Sequence, residues 1–339
     1  MSVPRRASFR IGELDVAPGR SATGGLPVAR LVTGTGLSLP LPGRHGRRDG
    51  RTVWLSAAVH GDEINGVEII RRVTRGLDAR TMAGTVIAVP IVNVHGFLNG
   101  DRYLPDRRDL NRSFPGSPTG SLASRIANLF MTEIVSRCDV GIDLHTGSDH
   151  RTNLPQIRAD LDDPETRKLA EAFGAPLMLH ARIRDGSLRG AATERGATVL
   201  LFEGGEALRF DDDALTAGVD GIRRVLAELA VIEPDTTGPR PLPVESRSST
   251  WVRARRSGIA LLDAELGEVV ERGQLLGVIH DSVGKRLARV TAPSRGVVIG
   301  RVQQPLGNQG DALGLLAAGS VDPVSTLGRF VSTHSQDRP

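Results

Sequence analysis

The strongest constraint on the fold is an alternation, between residues 52 and 232, of short apolar runs with longer segments of helical period. The apolar runs have the length and continuity of buried strands, and they cover residues 52–59, 85–92, 139–144, 176–179 and 197–202. Apolar residues recur every three or four positions, as on an amphipathic helix, in residues 62–75, 120–137, 163–173 and 211–232. This order predicts an α/β fold with a mainly parallel or mixed central sheet flanked by helices. Residues 28–44, broken by Gly and Pro, predict edge strands.

The chain is predicted to contain two domains. A length of 339 residues exceeds the roughly 100–200 residues of one ordinary domain. Four prolines lie between residues 233 and 245, and proline cannot continue a helix. Beyond them the helical period is absent, and residues 250–318 form short β-like runs punctuated by Gly. We therefore predict a first domain at 1–235, a Pro-rich linker at 236–245 and a smaller all-β, barrel-sandwich-like domain at 246–333.

Composition excludes several classes of site and partner. The single cysteine, Cys138, excludes an internal disulfide and any multi-cysteine zinc or iron–sulfur site. The net charge is only +4, basic and acidic residues are interspersed, and aromatic residues make up 3%, so nucleic-acid binding is not expected. No apolar stretch approaches the length of a signal peptide core or a membrane span. We expect a cytoplasmic protein with no membrane partner.

Polar side chains follow three of the apolar runs. His60 and Glu63 follow the first run, and His145 follows the run 139–144. Ligands of open α/β sheets bind outside the carboxyl ends of the strands, and two His with one Glu is a known catalytic zinc arrangement. Asp143, two residues before His145, is a candidate to orient its imidazole. The alternatives are a structural histidine in each case and a solvated helix start for Glu63.

Glu203 follows the run 197–202 and precedes two glycines. It is either a strand-end cap or, near a zinc-activated water, a general base. Residues 102–116 hold four arginines, one asparagine at position 111 and the only tyrosine. This segment is either a surface loop or a loop that recognises an anion, because arginine matches a carboxylate bidentately.

The strings HGDE (60–63), RYLP (102–105), DLNRSFPG (109–116), DLHT (143–146) and FEGGE (202–206), in that order, resemble the succinylglutamate desuccinylase/aspartoacylase family of the zinc carboxypeptidase clan. The resemblance covers roughly residues 30–235, and the β module resembles one appended in bacterial members. It implies a zinc carboxypeptidase-like fold and one Zn²⁺ per chain, held by His60, Glu63 and His145. It also implies Glu203 as general base and then acid, Arg102 as the group that stabilises the oxyanion, and Asn111 and Arg112 as the pair that binds the substrate carboxylate. Arg189 is either a further substrate contact or a surface arginine.

We therefore predict a zinc-dependent deacylase that hydrolyses the amide of a small N-acyl amino acid or related compound. One alternative is a zinc carboxypeptidase that acts on a peptide. Another is a non-catalytic binding protein or a carrier built on the β module, in which Lys285 lies eight residues before Pro293, about where a carrier would hold its modified lysine. The surrounding sequence HDSVGKRLARV argues against that modification. Homo-oligomer formation is left open.

Overall fold

A computed structural model describes residues 6–30, 33–148, 150–234 and 242–318. Six helices lie in these ranges: α1 (Asn65–Gly76), α2 (Val94–Asn99), α3 (Leu122–Glu133), α4 (Pro164–Phe173), α5 (Leu188–Glu194) and α6 (Asp212–Glu228). Short 3₁₀ turns occupy Leu110–Arg112 and Val135–Arg137. The sequence predicted four of the helices. It did not predict α2 and α5, because they are too short for a helical repeat of apolar residues to be recognised. None of the described helices has the length and hydropathy needed to cross a bilayer.

The first ten strands are β1 (Phe9–Ile11), β2 (Leu14–Val16), β3 (Arg20–Arg30), β4 (Gly36–His45), β5 (Arg48–Ala57), β6 (Ala83–Val89), β7 (Val140–Gly147), β8 (Arg151–Ala159), β9 (Leu177–His180) and β10 (Thr198–Glu206). The remaining nine are β11 (Val244–Ser246), β12 (Ser248–Arg253), β13 (Gly258–Leu262), β14 (Val269–Val270), β15 (Leu275–His280), β16 (Arg286–Thr291), β17 (Gly296–Val302), β18 (Leu306–Gly307) and β19 (Ala312–Ala318).

The central sheet is mixed, as predicted, and it runs in the order β12-β19-β17-β8-β10-β7-β5-β6-β4-β3. Strands β6, β5, β7 and β10 are mutually parallel, whereas β8 is antiparallel to β10. Strand β3 forms an edge and pairs with β4, as the Gly- and Pro-broken sequence predicts. Four strands of the C-terminal region, in the order β16-β15-β13-β18, form a separate sheet.

Some of the C-terminal strands join the central sheet instead of forming a separate module. Strand β17 pairs with β8 through Gly300 and Asn153, and β11 pairs with β9. The central sheet therefore includes strands from both predicted domains. The C-terminal region is all-β in its described part, while the barrel-sandwich arrangement and the domain boundaries stay predictions. Residues 236–241 of the predicted linker and 319–333 of the second domain lie outside the described residues.

Strand β8 is the main element that the sequence did not predict. Its interior contains Pro155, which cannot donate a hydrogen bond to a sheet and is unusual in a central strand. In the structure, the pairing of β8 with β10 shifts register between Gln156 and Asn153, so Pro155 lies at a bulge. The proline therefore removes no donor from the regular part of this ladder.

Buried side chains pack on both faces of the central sheet. On one face they join α1, α4 and α6 in a cluster that includes Ile69, Phe173 and Phe202. On the other face a second cluster includes Trp54 and Phe130 and extends to strands β1 and β2. These two cores hold the carboxyl ends of the parallel strands in fixed positions. The candidate site lies at these strand ends.

Candidate active site

His60 and Glu63 lie in the turn that joins β5 to α1. Their side chains meet directly, with His60 Nδ1 2.7 Å from Glu63 Oε1, and the two residues are only 4% and 2% exposed. Between them Gly61 packs on the backbone of Gly96 in α2, where a Cβ atom would lie 2.0 Å from the carbonyl carbon. A glycine is therefore required for this close approach, which brings the turn against α2.

His145 reaches the same carboxylate from β7. Its Nδ1 atom lies 2.7 Å from Glu63 Oε2, and its Nε2 atom lies 2.9 Å from Asp143 Oδ2. Asp143 is in turn fixed by Ser56, whose hydroxyl donates to Oδ1 at 2.7 Å. The sequence placed His145 after the end of a strand, but β7 continues to Gly147 because its parallel pairing with β10 continues through this position.

The three side chains fit the donor set of a zinc site. Ligand atoms of His60, Glu63 and His145 lie within 4.8 Å of one another, and all three residues are buried. Two imidazoles and one carboxylate suit Zn²⁺. The second ring nitrogen, Nε2, of each histidine lies near a carboxylate. His60 Nε2 is 3.2 Å from Asp109 Oδ1, and His145 Nε2 is close to Asp143 Oδ2. Such outer carboxylates orient the imidazoles of metal sites and raise their basicity.

The electrostatics of the cluster keep the carboxylate of Glu63 ionised. Burial alone would raise the pKa of Glu63, but the charges and hydrogen bonds of His60 and His145 outweigh it and hold that pKa far below its usual range. Burial alone would lower the pKa of His145, but Asp143 and Glu63 raise it well above the ordinary value. Glu63 is thus an ionised carboxylate in a buried position, which is what a metal ligand requires.

Glu203 lies beside the cluster on β10. It is in register with His145 on the parallel neighbour β7, so the two side chains project from the same face of the sheet. Asn153 Nδ2 donates to Glu203 Oε2 at 2.6 Å, and an Arg158 nitrogen lies 3.6 Å from Oε1. Glu203 lies inside the strand and not at its end, because β10 continues to Glu206 and absorbs the two glycines in a bulge.

In the segment 102–116, one arginine turns toward the cluster. Arg102 contacts Asp109 at 3.0 Å and Glu63 at 3.4 Å, and its side chain is 16% exposed. Arg107 and Arg108 are exposed and do not line the cavity described below. Of Arg102, Arg107 and Arg108, which lie close together in the sequence, only Arg102 contacts Glu63 among the described residues.

The other predicted contacts, Asn111, Arg112 and Arg189, line the same cavity as Arg102. Asn111 is buried, and its Oδ1 accepts a hydrogen bond from the Leu188 amide at 2.9 Å. Arg112 is solvent-exposed and points to the same cavity. The reading of Arg189 as a surface arginine is wrong: it is 7% exposed and donates to the backbone carbonyls of Ala181 and Arg182 at 3.0 and 2.9 Å. Its position at the start of α5, a helix that the sequence did not predict, explains the burial.

These side chains line a single cavity of about 620 Å³. All eight predicted site residues contribute to its wall: His60, Glu63, Arg102, Asn111, Arg112, His145, Arg189 and Glu203. Sequence reasoning missed Asn153 and Arg158 because they lie on β8, and it missed Trp251 because β12 was assigned to another domain. It also gave no role to Asp109, although the string DLNR contains it.

Comparison with known proteins agrees with this architecture. The profile of the succinylglutamate desuccinylase/aspartoacylase catalytic domain matches residues 49–229. An N-alpha-acetyl-L-2,4-diaminobutyric acid deacetylase of Halomonas elongata is 30% identical over 288 residues, which are 80% of this chain and 83% of that protein. A succinylglutamate desuccinylase of Burkholderia orbicola is 30% identical over 214 residues, 57% of this chain and 61% of that protein.

Solved structures extend the likeness to the C-terminal strands. A succinylglutamate desuccinylase/aspartoacylase from Rhodobacter sphaeroides superposes with a TM-score of 0.79 at 28% identity, over 93% of this chain and 100% of that one. The product-bound ectoine utilization protein EutE (DoeB) from Ruegeria pomeroyi gives 0.81 at 24% identity, over 94% and 98% of the two chains, and shares the fold. The family profile spans all eight predicted site residues. The chain belongs to the succinylglutamate desuccinylase/aspartoacylase family.

Proposed function

We propose that this protein is a zinc-dependent hydrolase that cleaves the amide bond of a small N-acyl amino acid or a related N-acyl compound. The observation that carries the proposal is the position of Glu203, in register with His145 and facing the same cavity as His60 and Glu63. The relatives named as a deacetylase and a desuccinylase support amide hydrolysis.

His60, Glu63 and His145 would hold the zinc ion. When bound, zinc lowers the pKa of water and polarises a carbonyl oxygen, which together make an unreactive amide open to attack. The hydrogen bonds that the Nε2–H groups of His60 and His145 donate to Asp109 and Asp143 would keep both imidazoles in the required orientation.

Glu203 would move the proton of the reaction. Its carboxylate would accept a proton from the attacking water and then deliver it to the amide nitrogen as the C–N bond breaks, which yields a carboxylate and a free amine. The hydrogen bond from Asn153 fixes one carboxylate oxygen, and Arg158 lies near the other. This leaves Glu203 oriented but still accessible from the cavity that it lines.

Arginines would bind the negative charges of the substrate and of the transition state. Arg102, which contacts Glu63, would stabilise the charge that develops on the carbonyl oxygen. Arg112, exposed at the cavity, would bind the free carboxylate of the amino acid together with Asn111. Arg189, which lines the same cavity, would be a further substrate contact.

A deacylation screen tests this proposal. Purified protein would be assayed for amine release from a panel of N-acyl amino acids and from short unblocked peptides, with and without a chelator. We expect chelator-sensitive cleavage of N-acyl amino acids that exceeds cleavage of peptides. Faster cleavage of ordinary peptides would favour the carboxypeptidase alternative. A protein that never holds zinc and cleaves nothing would favour a binding function.

A further inference from the structure

Gly300 of the C-terminal strand β17 leaves space for the side chain of Asn153. The two residues face each other in the ladder between β17 and β8. A Cβ atom built on Gly300 would lie 2.9 Å from Asn153 Oδ1, which is too close for such a contact. The next neighbours of that atom, Leu315 Cβ at 3.5 Å and Thr152 O at 3.7 Å, are at ordinary contact distances. Of the three nearest neighbours, only Asn153 leaves no room for a side chain at position 300.

The requirement for glycine at this position is steric. Gly300 does not have a positive φ, so an alanine can adopt the same backbone conformation. The atom that a Cβ would meet is the end of a side chain and not part of the backbone, so it can move while the sheet stays intact. The response to an alanine that costs least is therefore a displacement of the Asn153 amide group.

Displacement of this amide group would change the contact with Glu203. The same amide carries Nδ2, which donates to Glu203 Oε2 at 2.6 Å. Because Oδ1 and Nδ2 belong to one planar group, a contact that pushes Oδ1 aside also moves Nδ2. Hydrogen bonds weaken steeply as their distance and angle depart from the preferred range. A side chain at position 300 would therefore loosen the group that orients the proposed base.

A second contact joins β17 to the same part of β8. Strand β17 has one extra residue between Val298 and Gly300, so Ile299 lies in a bulge. The carbonyl oxygen of Ile299 accepts a hydrogen bond from Nε2 of Gln156 at 3.3 Å, and Gln156 is fully buried. Gln156 is in register with Glu203 on β10. Strand β17 thus contacts both the β8 residue that faces Glu203 in the ladder and the one that donates to its carboxylate.

We propose that Gly300 is a positioning residue: the space that it leaves keeps the Asn153 amide on Glu203, so that the C-terminal region takes part in orienting the base. This inference rests on the proposed function and deepens it. Gly300 does not line the cavity, so it acts through Asn153 and not on the substrate. The C-terminal region thereby contributes to the chemical step, although none of its residues is a proposed catalytic group.

Gly300→Ala tests this proposal, with Gly314→Ala as the matched control. Gly314 lies on the adjoining strand β19, and a Cβ atom there would have its nearest neighbour at 3.4 Å, an ordinary contact. With the best substrate of the deacylation screen, we expect Gly300→Ala to lower kcat by roughly tenfold or more, up to the loss seen in Asn153→Ala. KM should change little, because no contact with the substrate is altered. Gly314→Ala should keep the wild-type kcat.

The double variant Gly300→Ala/Asn153→Ala separates positioning from a general role in the sheet. Without Asn153 Oδ1 the new Cβ meets only ordinary contacts, so the double variant should have the kcat of Asn153→Ala alone. Additive losses, wild-type kcat in Gly300→Ala, or an equal loss in Gly314→Ala would overturn the proposal. If Gly300→Ala does not fold, recovery of folding in the double variant would support the contact with Asn153. Failure of both to fold would overturn it.

Magnetic resonance separates failure of this inference from failure of the proposed function. In full-length protein with isotope-labelled asparagine, the Nδ2 resonance of Asn153 is identified by its loss in Asn153→Ala. Glu203→Gln removes the charged acceptor of this amide, and Gly300→Ala should shift the resonance in the same direction, whereas Gly314→Ala should not. Such a shift in a protein that cleaves no amide would support the positioning contact and reject the hydrolase. An unchanged resonance in Gly300→Ala would overturn the inference, and amide cleavage by the wild type would then leave the hydrolase standing.

Discussion

Replacement of Asn153 by Ala tests whether the hydrogen bond to Glu203 matters for catalysis. Asn153 Nδ2 donates to Glu203 Oε2 at 2.6 Å, and Asn153 is 9% exposed, so water does not readily replace the lost donor. A hydrogen bond to a charged group contributes about 1.5–3 kcal/mol. If all of this free energy serves to orient Glu203 in the transition state, kcat should fall by roughly 10- to 150-fold. KM should change little, because the bond is not made to the substrate.

Steady-state kinetics of amide cleavage, with the best substrate of the screen, would measure this loss. Thr152→Ser is the matched control, since it changes the preceding buried residue of β8, whose side chain projects from the opposite face of the sheet. In a Glu203→Gln background, Asn153→Ala should have little further effect, because its partner can no longer act as a base. Wild-type kcat in Asn153→Ala, or an equal loss in Thr152→Ser, would refute the reasoning.

Other predictions concern the metal site, the base, the β module and the thiol. His145→Ala should abolish stoichiometric zinc binding in elemental analysis, and retention of one zinc per chain would contradict the ligand assignment. Glu203→Gln should keep the zinc but lose roughly 10²- to 10⁴-fold in kcat, and a smaller loss would argue against a role as base. Intact mass should show Lys285 unmodified; a biotin- or lipoate-sized increment would support the carrier alternative. Burial, and then the charge of Asp139, raises the pKa of the Cys138 thiol, so at pH 8 it should react slowly with a disulfide reagent until the protein is denatured. Rapid labelling of the native protein would contradict the raised pKa of this thiol.

Much of the catalytic half of the fold could be predicted because its signals are local. The helices α3 and α6 are long enough for their apolar period to be read directly, and the parallel strands are continuous apolar runs. Parallel strands place their carboxyl ends on one edge of a sheet. His60, Glu63 and His145 could therefore be expected near one another, and the structure brings their ligand atoms within 4.8 Å.

The other half of the site depends on pairings between distant residues, which no local pattern reveals. Pro155 interrupts β8, and the polar residues Asn153 and Gln156 obscure its apolar period. Without that strand, neither Asn153 nor Arg158 could be placed beside Glu203. The burial of Arg189 likewise depends on how the first residue of α5, Leu188, packs on Asn111, through a hydrogen bond that spans 77 residues. These contacts are set by the tertiary fold rather than by propensity.

The pairing of β17 with β8 also sets an order of events during synthesis. Gly300 and Asn153, which face each other in this ladder, are 147 residues apart. At roughly 5–20 residues per second, the ribosome needs roughly 7–30 s after β8 emerges before it delivers the partner strand. During that interval this edge of β8 offers unpaired backbone groups to other nascent chains. The yield of native protein in the cell should therefore depend on translation speed and on chaperones that cover this edge.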